Sequence, residues 1–337
     1  MDPAIHLGQR PVAKGYRQFA QREARDVSAV YENWATRVGA DSSVLDLLAT
    51  LPPGKRQPNL VFAAARWHGA EESYDSFRDT VLTRWEQVCA TILTRATQTN
   101  EAARCATLLP FLAELPQPLA LLEVGAAAGL CLLPDHYSYR YDDGTRLDPA
   151  AGPSQVVIEC HLGEGVPAPA MPQVGWRAGI DLNPIDATDA DARAWLQTLI
   201  WPGQEHRRHR LEAALDIAAR ERPHLVAGDL NQALTDLAAQ APAEATLVVF
   251  HSAVLAYLQP AARKEFADIV TAMPGCWISN EGRSVLPGAH RPAGGSQDDD
   301  GRFLLSVDGT ARARTDPHGA AVTSLDARAE GSSTDPG

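Results

Sequence analysis

The chain has 337 residues, 45% hydrophobic and 21% charged, which suits a folded globular protein and excludes wholesale disorder. Its 30 basic and 42 acidic residues give a net charge of −12, the wrong balance for a dedicated nucleic-acid binder. No apolar run reaches the ~18–20 residues of a membrane span, and the opening MDPAIHLGQRPVAKGY lacks the apolar centre of a secretory signal, so a cytoplasmic protein without membrane partners is expected.

Residues 1–117 read as an all-helical N-terminal cap. Tyr16, Phe19, Val27, Val30, Tyr31 and Trp34 recur at helical spacing, as do Phe77, Val81, Leu82, Trp85, Val88, Ile92 and Leu93. Between these stripes, Val44 to Leu51 form a shorter helix stopped by Pro52-Pro53-Gly54. Leu60 to Trp67 form another, with Asn59 as its cap.

The texture changes at Pro116-Gln117-Pro118. Over residues 118–326, short apolar runs alternate with amphipathic helices, which predicts an α/β domain with a parallel sheet covered on both faces. The strands are Leu119–Val124, a run closing at Gly179-Ile180-Asp181, His224–Ala227, Ala245–Phe250 and Cys276–Ser279. Helices are expected over Ala190–Trp201, Arg207–Arg220, Asn231–Gln240 and Pro260–Met273. Phe303–Val307 and Ala311–Arg314, joined by Asp308-Gly309, read as a terminal antiparallel hairpin. Tyr137–Asp143 and Gln155–His161 have strand character and predict an inserted antiparallel flap at about 135–175. Gly288–Gly301 reads as a mobile loop and residues 327–337 as a disordered tail.

Five scattered cysteines with no C-x-x-C pair argue against a zinc site or a disulfide framework; they read as small buried residues in a reducing compartment. No metal site is expected. Asp298-Asp-Asp300 does not change that, because three adjacent acids do not face one ion without a shaped loop.

The strongest chemical signal is Glu123-Val-Gly125-Ala-Ala127-Ala-Gly129, where the first strand ends. Glycine there lets the backbone turn sharply and approach a ligand, and a following helix would offer unpaired N–H groups. Tight strand–helix packing gives the same spacing. Neither the dinucleotide G-x-G-x-x-G nor a phosphate-cradling G-x-x-x-x-G-K-[ST] fits. Asp181 and Asp229 fall at the tips of the second and third strands, where open sheets bind ligands; the alternative for Asp181, before Asn183-Pro184, is a helix or turn cap. Asn100, Glu101 and Arg104 stand at the start of the helix leading into the first strand, either as polar ligand contacts or as an ordinary cap. Tyr137 belongs to an aromatic–basic cluster that either stacks on a planar substrate or forms cross-strand pairs. His251, at the end of the fourth strand, is either a general base or a satisfied core histidine. Ser252 beside it makes a poor hydrolase pair, since neighbours in a strand point to opposite faces.

The segment from Glu123 to Gly129 resembles acid-x-Gly-x-Gly-x-Gly, the first motif of Rossmann-like methyltransferases that use S-adenosylmethionine, with Ala127 in place of the middle glycine. The resemblance implies a methyltransferase-type sheet with its terminal antiparallel hairpin. It also implies cofactor contacts from Glu123, Gly125, Ala127, Gly129, Asp181 and Asp229, with Asn100, Glu101, Arg104 and Tyr137 near a small-molecule acceptor and His251 as the base. Ala127, and the lack of a recognisable catalytic motif after the fourth strand, leave open a non-catalytic ligand-binding or regulatory protein on the same fold. Over roughly residues 10–325 the chain also resembles the domain-of-unknown-function family numbered 2332. The motifs that carry this likeness are Gln98-Thr-Asn-Glu101, Leu122–Gly129, Asn183-Pro-Ile-Asp186, Phe250-His-Ser252 and Asp316-Pro-His-Gly319, with Cys131 where that family suggests asparagine. The family implies a fold and a site, but no reaction.

Overall fold

The computed structural model describes residues 10–98, 100–285 and 301–325. The run Asp298–Asp300, the expected loop up to position 300 and the expected tail at 327–337 lie outside them. Described residues group into two compact units, one within Met1–Thr99 and Ala190–Glu212, the other within Asn100–Asp189 and Ala213–Gly337. The division falls near residue 99 rather than at Pro116–Pro118, and the helical unit takes back a later segment. Among the described residues no helix is long and apolar enough to cross a membrane.

The first unit is helical. It contains α1 (Arg10–Phe19), α2 (Ala29–Val38), α3 (Ser42–Thr50), α4 (Pro58–Trp67), α5 (Tyr74–Thr83) and α6 (Trp85–Thr94). The seventh helix, α7 (Arg104–Leu112), belongs to the other unit, and α8 (Ala190–Leu199) returns to the first. Phe62 sits at the centre, fully buried, with the rings of Tyr16, Phe19, Tyr31, Trp34 and Phe77 at centroid distances of 4.9 to 6.2 Å. Trp195 of α8 is buried in the same cluster.

Polar residues set the helix boundaries. Asp41 accepts from the Ser43 and Val44 N–H groups and Ser28 from Tyr31 N–H. Both long stripes turn out to be broken. Asp26 at φ +61° separates α1 from α2 and leaves Val27 exposed; Arg84 separates α5 from α6, and Leu82 and Leu93 face solvent. Nor does Asn59 cap α4. The helix begins at Pro58, whose fixed φ and missing N–H suit a first position.

The second unit is built on one mixed sheet. Its strands are β1 (Leu119–Val124), β2 (Ser138–Tyr141), β3 (Arg146–Leu147), β4 (Val157–Leu162), β5 (Val174–Asp181), β6 (His224–Ala227), β7 (Thr246–Ser252), β8 (Cys276–Gly282), β9 (Phe303–Val307), β10 (Thr310–Thr315) and β11 (Ala321–Ser324). Their order is β3-β2-β4-β11-β10-β9-β8-β7-β1-β5-β6. β8, β7, β1, β5 and β6 run parallel, and β9 to β11 continue as an antiparallel meander. β1 is buried along its whole length, as a central parallel strand must be.

The remaining helices are α9 (Glu205–Glu221), which begins in the first unit, α10 (Leu230–Ala238) and α11 (Pro260–Ala272). Leu122, Val124, Ala178, Ile180, Val249 and Trp277 pack on α10 and α11 through Leu234, Leu237, Phe266 and Val270. Every residue of α7 is buried.

Two expectations need correction here. The pair read as an antiparallel flap, β2 and β4, is parallel, and β4 joins the main sheet through β11. The short β3 supplies the antiparallel partner instead. Second, no helix follows the glycine turn: Gly129 leads into 3₁₀ turns at Leu130–Leu132 and Pro134–His136, and residues 125–173 contain no α-helix.

Candidate functional site

Successive parallel strands lie on opposite sides of β1: β5 and β6 on one, β7 and β8 on the other. Open sheets bind ligands where the winding reverses, at the carboxyl ends, which here means the loops after β1, β5 and β7.

Gly125, Ala127 and Gly129 all have left-handed backbones, at φ +72°, +48° and +69°. A Cβ on Gly125 would overlap the Val254 side chain, so glycine is required by contact as well as by φ. Ala127 accepts that conformation at a cost of roughly 1–2 kcal/mol. Its neighbours hold it there: its N–H donates to Asp181 Oδ2 at 2.9 Å, and its carbonyl accepts from Ile185 N at 2.9 Å.

Every N–H of the turn has a partner within the chain. Gly125 and Ala126 donate to Ile180 O, Ala127 to Asp181, Ala128 to Asn100 Oδ1 at 2.8 Å, and Gly129 to Ala126 O. With no helix beginning there, this is a shaped turn and not an anion cradle. Asp181 also accepts from Asn183 N–H through Oδ1, so its role as a turn cap is realised.

Glu123 lies on the face of β1 opposite Leu122 and Val124, and only 7% of it is exposed. Its buried Oε2 has no hydrogen-bond partner, and neither has the buried Nδ2 of Asn100. Burial pushes the Glu123 carboxyl well above its ordinary range; nearby Cys131 and Asp181 add to this, and Arg104 opposes it. Arg104 is itself buried and donates to Ser252 O at 3.0 Å and Pro317 O at 2.9 Å. It thereby ties the end of β7 to the Asp316–Gly319 turn, whose Gly319 sits against Ala103 too closely for any side chain. Glu101 accepts from Ala103 N–H at the entry to α7. The structure thus gathers Asn100, Glu101, Arg104, Glu123, Cys131 and Asp181 around one turn.

Two expected residues, Tyr137 and His251, stand apart, whereas Asp229 follows Gly228, whose N–H donates to Asp181 O at 3.0 Å, at the tip of β6. Asp229 is exposed and N-caps α10 by accepting from Asn231 N–H at 2.9 Å. Tyr137 is fully buried, and its hydroxyl donates to Leu130 O at 2.8 Å, so it does not face a substrate. Tyr139 and Tyr141 do the same toward Pro134 O and Ala106 O. His251 lies on the α11 side of β7, packed against Phe266 and Trp277. Trp277 Nε1–H donates to His251 Nε2 at 3.1 Å, so the ring proton sits on Nδ1 and is donated to Glu281 Oε1 at 2.8 Å. Both ring nitrogens are occupied in the core, and His251 is not a base for the turn after β1.

Sequence reasoning missed Glu281. Its Oε1 accepts from His251 and from the N–H groups of Val254 and Leu255, which fixes the loop after β7. Burial pushes its carboxyl up, but those hydrogen bonds outweigh it and leave the group below the ordinary range. Beside it, Thr315 donates to Asn280 Oδ1 at 2.6 Å, and Asn280 donates to Ser252 Oγ at 3.3 Å. The polar run Ser279-Asn280-Glu281 on the end of an apolar strand was the available signal. All five cysteines are free thiols, and among the described residues no group of three or more His, Cys, Asp or Glu could hold a metal ion.

Over residues 13–324 the chain matches the family described as "Uncharacterized protein conserved in bacteria (DUF2332)", and it belongs to that family. No curated protein matches it.

Proposed function

We propose that the second unit is a Rossmann-like, methyltransferase-type domain that binds S-adenosylmethionine at the tips of β1 and β5 and serves methyl transfer to a small-molecule acceptor. One observation carries the reading: a buried acceptor, Glu123 Oε2, and a buried donor, Asn100 Nδ2, both unpartnered, flank the turn after β1. Leaving such groups unpaired costs roughly 1–3 kcal/mol each. An α-amino-acid end, with its ammonium beside its carboxylate, supplies the complement to both.

The strand order and the turn support the same choice. β6-β5-β1-β7-β8 is the doubly wound order with its switch point beside β1. Because the N–H groups of the turn are already taken, it suits a ligand without phosphate better than a dinucleotide. Asp181 keeps acceptor capacity on both oxygens after its two backbone bonds, enough for ribose hydroxyls.

The cofactor supplies a methyl group already activated on a sulfonium. The chain's residues bind and orient: Glu123 and Asn100 fix the amino-acid end, and Arg104 holds the end of β7 in place. Acceleration then comes from alignment and exclusion of water. A second reading, a non-catalytic ligand-binding or regulatory protein, is favoured by one observation, the engagement of both nitrogens of His251.

Calorimetry with S-adenosylmethionine and S-adenosylhomocysteine tests the cofactor. Wild type should bind both and Glu123→Gln neither well; a wild-type Kd weaker than about 1 mM removes the proposal. Binding with no transfer of labelled methyl to any component of a metabolite extract selects the second reading.

A further inference from the structure

Large side chains left in solvent are informative when the backbone beneath them is deliberately fixed. Tyr257, in the short 3₁₀ turn Leu255–Tyr257 after β7, is 76% exposed. Most of the turn's polar backbone is held from below. Glu281 accepts from Val254 and Leu255 N–H, and one guanidinium, that of Arg263, donates to Ala256 O at 3.0 Å and Leu258 O at 2.9 Å. The two carbonyls flanking Tyr257 in the chain are therefore bound by the same side chain. Val254, three residues earlier, presses on Gly125. A rigid turn abutting the glycine turn therefore presents an aromatic ring that the fold itself does not use.

We infer that Tyr257 is the residue that selects the acceptor, by stacking on a planar aromatic ring. This rests on the cofactor reading above, which runs from Glu123 and Asn100 toward Asp181, along β1 and β5, and leaves the β7 side for the second reactant. The acidic side chain of Asp181 at the tip of β5 makes an uncharged or cationic ring the better match than an anionic one. Pre-fixing the turn removes the ordering cost that a mobile loop would add to binding. The phenol ring offers a stacking face irrespective of its hydroxyl.

The test titrates the full chain with indole, with cyclohexanol as a non-planar probe of similar size, and with S-adenosylhomocysteine, following saturation-transfer NMR and calorimetry. Wild type and Tyr257→Phe should bind indole alike, and Tyr257→Ala roughly tenfold more weakly, while cyclohexanol binds none of them well. S-adenosylhomocysteine should bind all three equally. Equal indole affinity in wild type and Tyr257→Ala overturns the inference, as do absent indole binding and cyclohexanol binding that matches indole. If S-adenosylhomocysteine fails to bind but the indole series behaves as stated, the cofactor reading falls and the ring-binding role of Tyr257 stands. The opposite result removes only Tyr257.

Discussion

Asp41 in the helical unit accepts four hydrogen bonds, from Ser43 N, Val44 N, the Tyr74 hydroxyl and Arg78 Nε, whereas Glu123 at the tip of β1 leaves a buried oxygen with none. Unpartnered buried atoms occur in both units, so their mere presence does not distinguish the two. In the helical unit they are neutral, the Tyr16 hydroxyl and Asn59 Oδ1. In the other, beside the amides of Asn100 and Asn231, they include carboxylate oxygens of Glu123 and Glu281. A carboxyl group left open in this way is the costlier fault, because it either stays charged against desolvation or, as burial does to Glu123, is pushed toward its protonated form. A fold that satisfies Asp41 completely and leaves Glu123 open has concentrated its incomplete chemistry where the parallel strands end, and such places are where binding sites are found.

Two substitutions should break the comparison cleanly. Phe62→Ala removes the ring that five others touch and should cost about 3–5 kcal/mol in denaturant unfolding. The folded fraction should keep its S-adenosylhomocysteine affinity; loss of affinity in folded protein would show that the helical core shapes the site. Gly125→Ala acts the other way. It adds left-handed strain of roughly 1–2 kcal/mol and drives a Cβ into Val254. Ligand binding should vanish in protein that remains folded, as checked by calorimetry beside circular dichroism. Retained affinity would mean that the turn after β1 is packing alone.

How much of this was legible follows from what each feature depends on. β1, β6 and the terminal hairpin announced themselves because short apolar runs end at glycine or turn residues, a local signal. The direction of β2 against β4 was not local, since β4 is placed by β11, more than a hundred residues later. His251 illustrates the same limit at one residue. Its position after an apolar run marked it as a site residue, but alternation puts it on the face of Val249, where Phe266 and Trp277 wait. Glu281 left only the trace of a polar run at the end of an apolar strand, because its role exists only once β8 is in register with β7. The gathering of Asn100, Arg104, Glu123 and Asp181 was readable as a list of residues; that the turn's own N–H groups would be consumed by Asp181 and Asn100 was not.

The smallest effects sharpen the contrast most, because they differ in sign. Burial raises the Asp41 carboxyl, but its bonds from Arg78, Val44 and Tyr74 outweigh this and hold it below the ordinary 3.8. Asp41 therefore stabilises the fold above that pH and loses its contribution as pH falls through the lowered value. Asp41→Ala, losing a cap, should cost about 1 kcal/mol at neutral pH and flatten the acid limb of the stability curve. Glu123 is held well above its ordinary 4.5 chiefly by burial, so the folded chain keeps a proton that the unfolded chain releases. Its contribution is favourable below 4.5 and declines as pH rises from there toward the raised value. Glu123→Gln should remove that decline and leave the acid limb alone. A ligand bringing an ammonium to Glu123 needs the carboxylate, so wild-type affinity for S-adenosylhomocysteine should rise with pH over the window in which stability falls. Chemical denaturation and calorimetry across the same pH series read both quantities. If affinity stays flat while stability falls, Glu123 is buried strain and not a ligand contact.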